Sequence, residues 1–116
     1  MPKRYIIKCF SNGNNCPVDK FIDGLGEREK KKMMDVLRKL ESNGPLLSNP
    51  DKESLGNGLL QLRAYVNKVQ YRIIYIRVNG IYILLEGFIK KSRKTPEKNK
   101  NNAKKRLKEY NKGIRK

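Results

Sequence analysis

The chain has 116 residues, 37% of them hydrophobic, which supports one modest core and no second domain, because a domain this small buries only about two thirds of the surface its unfolded form exposes. Its 28 Lys and Arg against 11 Asp and Glu give a formal charge of +17, and self-repulsion at that charge points to a polyanion or an acidic partner. Histidine is absent and the two cysteines, Cys9 and Cys16, stand at no zinc-ligand spacing, so any chemistry falls to Lys, Arg, Tyr or carboxylates.

In chain order, Met1 to Ile7 lacks the apolar stretch of a signal peptide, and no later run approaches a membrane span, which predicts a soluble cytoplasmic protein with reduced, structural cysteines and no membrane partner. Arg4 to Phe10 is rich in β-branched and aromatic residues and predicts a first strand, stopped by the turn-prone Ser11 to Asn15. Pro17 opens a short helix as its first residue, with Asp19 in the first turn and Gly24 and Gly26 interrupting it. Met33, Val36, Leu37 and Leu40 recur at helical spacing and predict a second helix from about Glu27 to Ser42, ended by Gly44 and Pro45. Pro45 to Gly58 carries Pro, Asn, Ser and Gly without sustained periodicity and reads as a surface loop.

Three strands follow. Asn79-Gly80, between Val69 to Val78 and Ile81 to Ile89, is the strongest local signal, since Asn-Gly supplies the two left-handed positions of a type I′ hairpin; Asn67-Lys68 is a weaker turn before it. A last helix is announced by Thr95 as N-cap, Pro96 as its first residue and Glu97 near the positive end of the dipole, and runs to about Tyr110. The expectation is one α+β domain over residues 1 to 116. A small curved antiparallel sheet, made of the N-terminal strand and a three-strand meander, packs on an N-terminal helical hairpin and a C-terminal helix.

Charge is distributed unevenly over these elements. Residues 1 to 60 hold 11 basic and 8 acidic side chains, residues 61 to 116 hold 17 and 3, so the anion-facing surface belongs to the second half.

Two-residue turns fix the pairing. Val66 opposes Val69, Tyr65 opposes Gln70, Arg63 opposes Arg72 and Gln61 opposes Ile74; across the second turn, Val78 opposes Ile81, Ile74 opposes Leu85 and Arg72 opposes Gly87. Alternation then puts Leu60, Leu62, Ala64, Tyr71, Ile73, Tyr75, Leu84 and Phe88 on a core face. The other face carries Gln61, Arg63, Tyr65, Gln70, Arg72 and Gly87, with Lys91 on the same parity, beside an apolar ledge of Ile74, Ile76, Ile83 and Leu85. Two arginines directly opposite repel by roughly a few tenths to 1 kcal/mol, and with Glu86 read as pointing to the core side no carboxylate on that face cancels them. A local rule broken in this way marks a functional site. Solvated arginines paired with carboxylates from the 45 to 58 loop are the alternative. Gly87 is read as leaving room for a ligand beside Arg72.

Other basic residues have plainer readings. Lys90, Lys91, Arg93 and Lys94 form a basic loop, and the lysines of the final helix, Lys98, Lys100, Lys104, Lys105 and Lys108, read chiefly as a solvated face, with Lys98 kept as an RNA-contact candidate. Tyr71, Tyr75, Tyr82 and Tyr110 read as packing residues, whereas Tyr65 on the cationic face is suited to stacking on a base.

Leu60-Gln61-Leu62-Arg63, Tyr71-Arg72-Ile73-Ile74-Tyr75, Leu84 to Lys91, Lys94-Thr95-Pro96, and Ala103 with Arg106 and Tyr110 together resemble the HigB-like, phage-derived branch of the RelE/ParE toxins. Order and spacing agree over about residues 55 to 110, and the first half agrees in its layout of strand and helical hairpin. Gln61 stands where the family often has Glu, and no tyrosine occurs in the 92 to 97 segment where some RelE proteins place a catalytic one. The resemblance implies endonucleolytic cleavage of messenger RNA, usually on the ribosome, and neutralisation by a HigA-like helix-turn-helix antitoxin.

RNA is cut without metal when its 2′-hydroxyl attacks the neighbouring phosphorus. Arginine suits the charged phosphorane that results, because its planar fork stays charged and donates two parallel hydrogen bonds. Arg72 is assigned to the scissile phosphate with Arg63 beside it, and a lysine crowded by cations to proton transfer: Lys91 first, then Lys90 or Lys94. Gln61, Tyr65, Gln70, Arg93 and Lys98 are the RNA-contact candidates, with no metal and no cofactor. Two other activities fit the composition, a ParE-like toxin that binds DNA gyrase and cuts nothing, and a non-enzymatic RNA-binding protein.

Overall fold

The computed structural model describes residues 5–11, 13, 16–44, 52–56, 58–91 and 95–114. Eight elements follow one another: β1 (Ile6–Cys9), α1 (Pro17–Asp23), α2 (Glu27–Asn43), β2 (Lys52–Gly56), β3 (Leu59–Val66), β4 (Val69–Val78), β5 (Ile81–Lys90) and α3 (Glu97–Ile114). The fold is α+β, as expected. Pro17 opens α1, and the α1 chain turns at Gly24, whose N–H donates to the Lys20 carbonyl at 3.1 Å. Gly44 closes α2 at φ +53, and only glycine fits there, since a Cβ would lie 2.4 Å from the Tyr5 ring. The Tyr5 N–H donates to the Glu41 carbonyl at 2.8 Å and ties the start of β1 to the end of α2.

The sheet has the order β1-β5-β4-β3-β2. β1 runs parallel to β5, Ile6 opposite Ile81 and Cys9 opposite Leu84, so the sheet is mixed and not wholly antiparallel. A fifth strand, β2, lies where a surface loop was expected: Lys52, Glu53 and Ser54 pair antiparallel with Leu62, Gln61 and Leu60. Its sequence, Lys-Glu-Ser-Leu-Gly, lacks the β-branched and aromatic residues that mark a strand, and only pairing with β3 at the sheet edge holds it extended.

Both expected turns are present, with positive φ at Asn67, Lys68, Asn79 and Gly80. The β3–β4 register is the expected one throughout, Arg63 opposite Arg72 included. The β4–β5 register agrees from Val78–Ile81 to Tyr75–Leu84 and then slips by one residue, because a bulge makes Glu86 the partner of Ile74 and Phe88 the partner of Arg72.

The slip has a packing cause. Leu85 is fully buried on the face covered by α3, and the neighbouring Glu86 turns to the same face, where its carboxylate accepts from Asn99 Nδ2 (3.0 Å), Asn102 Nδ2 (2.9 Å) and Arg106 Nη1 (2.5 Å). Glu86 is therefore not on the α1–α2 side, where sequence parity put it, and Phe88 moves with it to the α3 side. Gly87 falls on the opposite face against α1. A Cβ there would lie 2.3 Å from the Phe21 ring, so the glycine admits a helix and not a ligand.

Two cores result. Val18, Ile22, Met33, Val36 and Leu40 of α1 and α2 pack on Leu62, Ala64, Tyr71, Ile73, Tyr75, Tyr82 and Leu84. On the other face Ala103, Leu107 and Tyr110 of α3 cover Leu59, Ile74, Ile76, Ile83, Leu85 and Phe88. The apolar ledge expected beside the cationic residues is thus a second core beneath α3, where each fully buried aliphatic side chain contributes about 1.5–3 kcal/mol. No helix among the described residues is long and apolar enough to cross a membrane.

Candidate functional site

α3 covers only part of the face it packs on. Beyond it, Arg63, Gln70, Arg72 and Lys90 from β3, β4 and β5, with Lys68 from the turn and Lys91 at the end of β5, line an open concavity of about 880 Å³. Register alone brings three of these cations to one face: Arg63 opposes Arg72, and Gln70, two residues from Arg72, opposes Lys90.

Arg72 is only 4% exposed. Its Nη2 donates to Gln70 Oε1, while Nε and Nη1 are buried with no hydrogen-bond partner among the described residues. Arg63 donates from Nη2 to the Lys52 carbonyl at 3.3 Å. The Glu53 carboxylate of β2 lies within reach of both guanidinium groups, its Oε2 at 3.9 Å from Arg72 Nη1 and 4.0 Å from Arg63 Nη1. Burial lowers the pKa of Arg72 and the neighbouring Arg63 lowers it further, with Glu53 opposing both. Lys90 is lowered too, first by burial and then by Arg72, with Glu53 opposing them and Arg63 adding a weaker push in the same direction. Each shift has the sign that disfavours holding these charges together unless an anion joins them.

Glu53 is held by a buried chain of side chains. Gln61, fully buried, donates from Nε2 to Glu53 Oε2 at 3.0 Å and accepts at Oε1 from the Thr95 hydroxyl at 3.1 Å. Thr95 thereby ties the approach to α3 to the pocket, and α3 begins at Glu97, one residue later than its expected start. Burial removes Gln61 from direct contact with RNA and makes it a support for Glu53.

The other candidates are distributed as follows. The bulge turns Lys90 rather than Lys91 to the cationic face, opposite Gln70, and Lys91 sits exposed at the rim. Tyr65 is 60% exposed opposite Gln70, and Lys98 is exposed in the first turn of α3. Arg93 and Lys94 lie outside the described residues. Glu53 was not singled out, because β2 was not expected as a strand, but it is a carboxylate of the 45 to 58 segment beside both arginines, the pairing given above as the alternative. The signal for it was the Arg63–Arg72 pair, whose repulsion requires a carboxylate nearby.

No curated protein matches the chain. The family model described as phage-derived protein Gp49-like (DUF891) matches residues 20–108, which takes in most of both cores, β2 and every described residue of the pocket. The chain belongs to this phage-derived Gp49-like family, a RelE/toxin-like family.

Proposed function

We propose that the protein is the toxin of a toxin–antitoxin pair, HigB-like in type, and that it is a metal-independent endoribonuclease acting on messenger RNA engaged by the ribosome. The observation that carries this reading is the convergence of Arg63, Arg72 and Lys90 on one face of the sheet. Stacked guanidinium groups suit a phosphate that gains a second negative charge in the transition state, since preorganised donors lose nothing to reorganisation as the charge develops. Arg72, two of whose donor nitrogens have no hydrogen-bond partner among the described residues, takes the scissile phosphate, and Arg63 flanks it.

Lys90 is the proton donor to the departing 5′-oxygen. It lies on the face of Arg72, and burial first, then the two arginines that bind the phosphate, lower its pKa, which makes an ammonium a better acid. Tyr65 and the rim residue Lys91 guide the strand on either side. An antitoxin with an acidic segment covers the basic face, because a pocket of this charge attracts carboxylates as readily as phosphates.

Purified protein incubated with a defined message, with and without ribosomes and in chelator, tests the reading. The expected result is cuts ending in 2′,3′-cyclic phosphate and 5′-hydroxyl that persist in chelator and vanish in Arg72→Ala. An intact message under every condition, with growth still arrested in cells, would assign the toxicity to another target.

A further inference from the structure

The cations of the pocket have been assigned to phosphate binding, proton donation and strand guidance, and Glu53 has been assigned no step. Its carboxylate is the one acidic group that the described residues place among these cations, it is 41% exposed, and its Oε2 sits 3.9 and 4.0 Å from the guanidinium nitrogens assigned to the phosphate. A carboxylate kept only to neutralise two arginines would gain from closing to full salt bridges of about 2.7–2.9 Å. Gln61 instead holds it away by the 3.0 Å hydrogen bond to Oε2, and Thr95 fixes the Gln61 amide so that its nitrogen and not its oxygen meets the carboxylate.

We propose that Glu53 is the proton acceptor for the attacking 2′-hydroxyl, an assignment that rests on the nuclease reading and completes it. A phosphate seated against Arg63 and Arg72 brings the adjoining ribose to the side of the two guanidinium groups where Glu53 stands. The 2′-hydroxyl proton passes to the Glu53 carboxylate as the 2′-oxygen bonds to phosphorus. The bond from phosphorus to the 5′-oxygen breaks with its electron pair on that oxygen, and the Lys90 ammonium protonates it. The products are a 2′,3′-cyclic phosphate and a 5′-hydroxyl, with one proton gained by Glu53 and one lost by Lys90, and exchange with water restores both. Carboxylate and ammonium sit on β2 and β5, at opposite sides of the arginine pair on β3 and β4, which matches the in-line placing of the attacking and leaving oxygens on either side of phosphorus.

Cleavage of a defined message and binding of the same oligonucleotide with a 2′-deoxy residue at the cut site, measured for wild type and Glu53→Gln, test this. The swap keeps the shape and removes the base and its charge. The expected outcome is a fall in cleavage rate of about 100-fold or more, with binding of the uncleavable strand equal or tighter because a negative charge has left the phosphate site. A Glu53→Gln protein that cuts within about threefold of wild type, or that loses binding in step with rate, overturns the assignment. Should Glu53→Gln fail to fold, Glu53→Asp keeps the charge but draws it back by one methylene; it is expected to lose at least about tenfold in rate with binding kept, and a wild-type rate overturns the proposal. A wild-type protein that cuts nothing refutes the nuclease reading itself, a result distinct from an active Glu53→Gln.

Discussion

Lys90 stands opposite Gln70 on the face that carries Arg72, and it does so only because the bulge in β5 makes Glu86, rather than Leu85, the partner of Ile74. Without that one-residue slip, Ile89 would stand opposite Gln70 and Lys90 would fall on the opposite face.

The two lysines should therefore behave differently. Lys90→Ala is expected to lower cleavage about 100-fold or more with little change in binding. Lys91→Ala, at the rim, is expected to weaken binding and reduce the slope of log affinity against log salt by about 0.7, the value for one single-strand phosphate contact. Single-turnover rates and salt titrations on the two variants check this.

Arg72→Lys keeps the charge and loses the fork. It is expected to fold, since the change keeps the charge opposite Arg63, and to lose at least about tenfold in cleavage, because an ammonium cannot donate two parallel hydrogen bonds. Thermal melts paired with cleavage assays separate the two effects.

Glu86 anchors α3 through Asn99, Asn102 and Arg106. Glu86→Ala leaves Arg106 without its carboxylate against the sheet and is expected to cost about 3–5 kcal/mol, as for other buried pairs broken on one side. Denaturant unfolding measures it, and a loss under about 1 kcal/mol would mean that α3 is held by its apolar face alone.

Gly87→Ala is expected to destabilise by about 1–3 kcal/mol through overpacking against Phe21. In the Phe21→Ala background the added methyl has room, so a double-mutant cycle should show strong favourable coupling between the two substitutions.

The Cys9 thiol donates to Asp19 Oδ1 at 3.2 Å, and burial, followed by Asp19, pushes its pKa up to about 12 from 9.0. The unfolded chain therefore releases this proton at lower pH than the folded one, so stability is constant below about pH 9 and falls as pH rises toward 12. Unfolding curves at pH 8 and pH 10.5, for wild type and Cys9→Ser, show the difference, and Cys9 should react slowly with thiol reagents until the protein unfolds.

The parts of the molecule governed by local chemistry were legible in the sequence. Asn79-Gly80 and Asn67-Lys68 announced their turns, the turns set the β3–β4 register, and that register put Arg63 opposite Arg72. What could not be read depended on distant partners. β2 has no strand composition and is extended only because β3 is there, and the β5 bulge exists because Glu86 finds three donors on a helix that starts eleven residues later. Alternation carried through that bulge misplaced Glu86, Gly87 and Phe88 and interchanged the two lysines. The family match starts at residue 20, well inside a half of the chain where only the layout of elements was recognisable.

The parallel pairing of β1 with β5 also orders events in time. β1 leaves the ribosome well before its hydrogen-bonding partner in residues 81–84, so during synthesis it waits, with its edge open, until β5 has been made. The charged groups around the pocket lie between residues 53 and 91, so the concavity exists only once β2, β3, β4 and β5 have all been made.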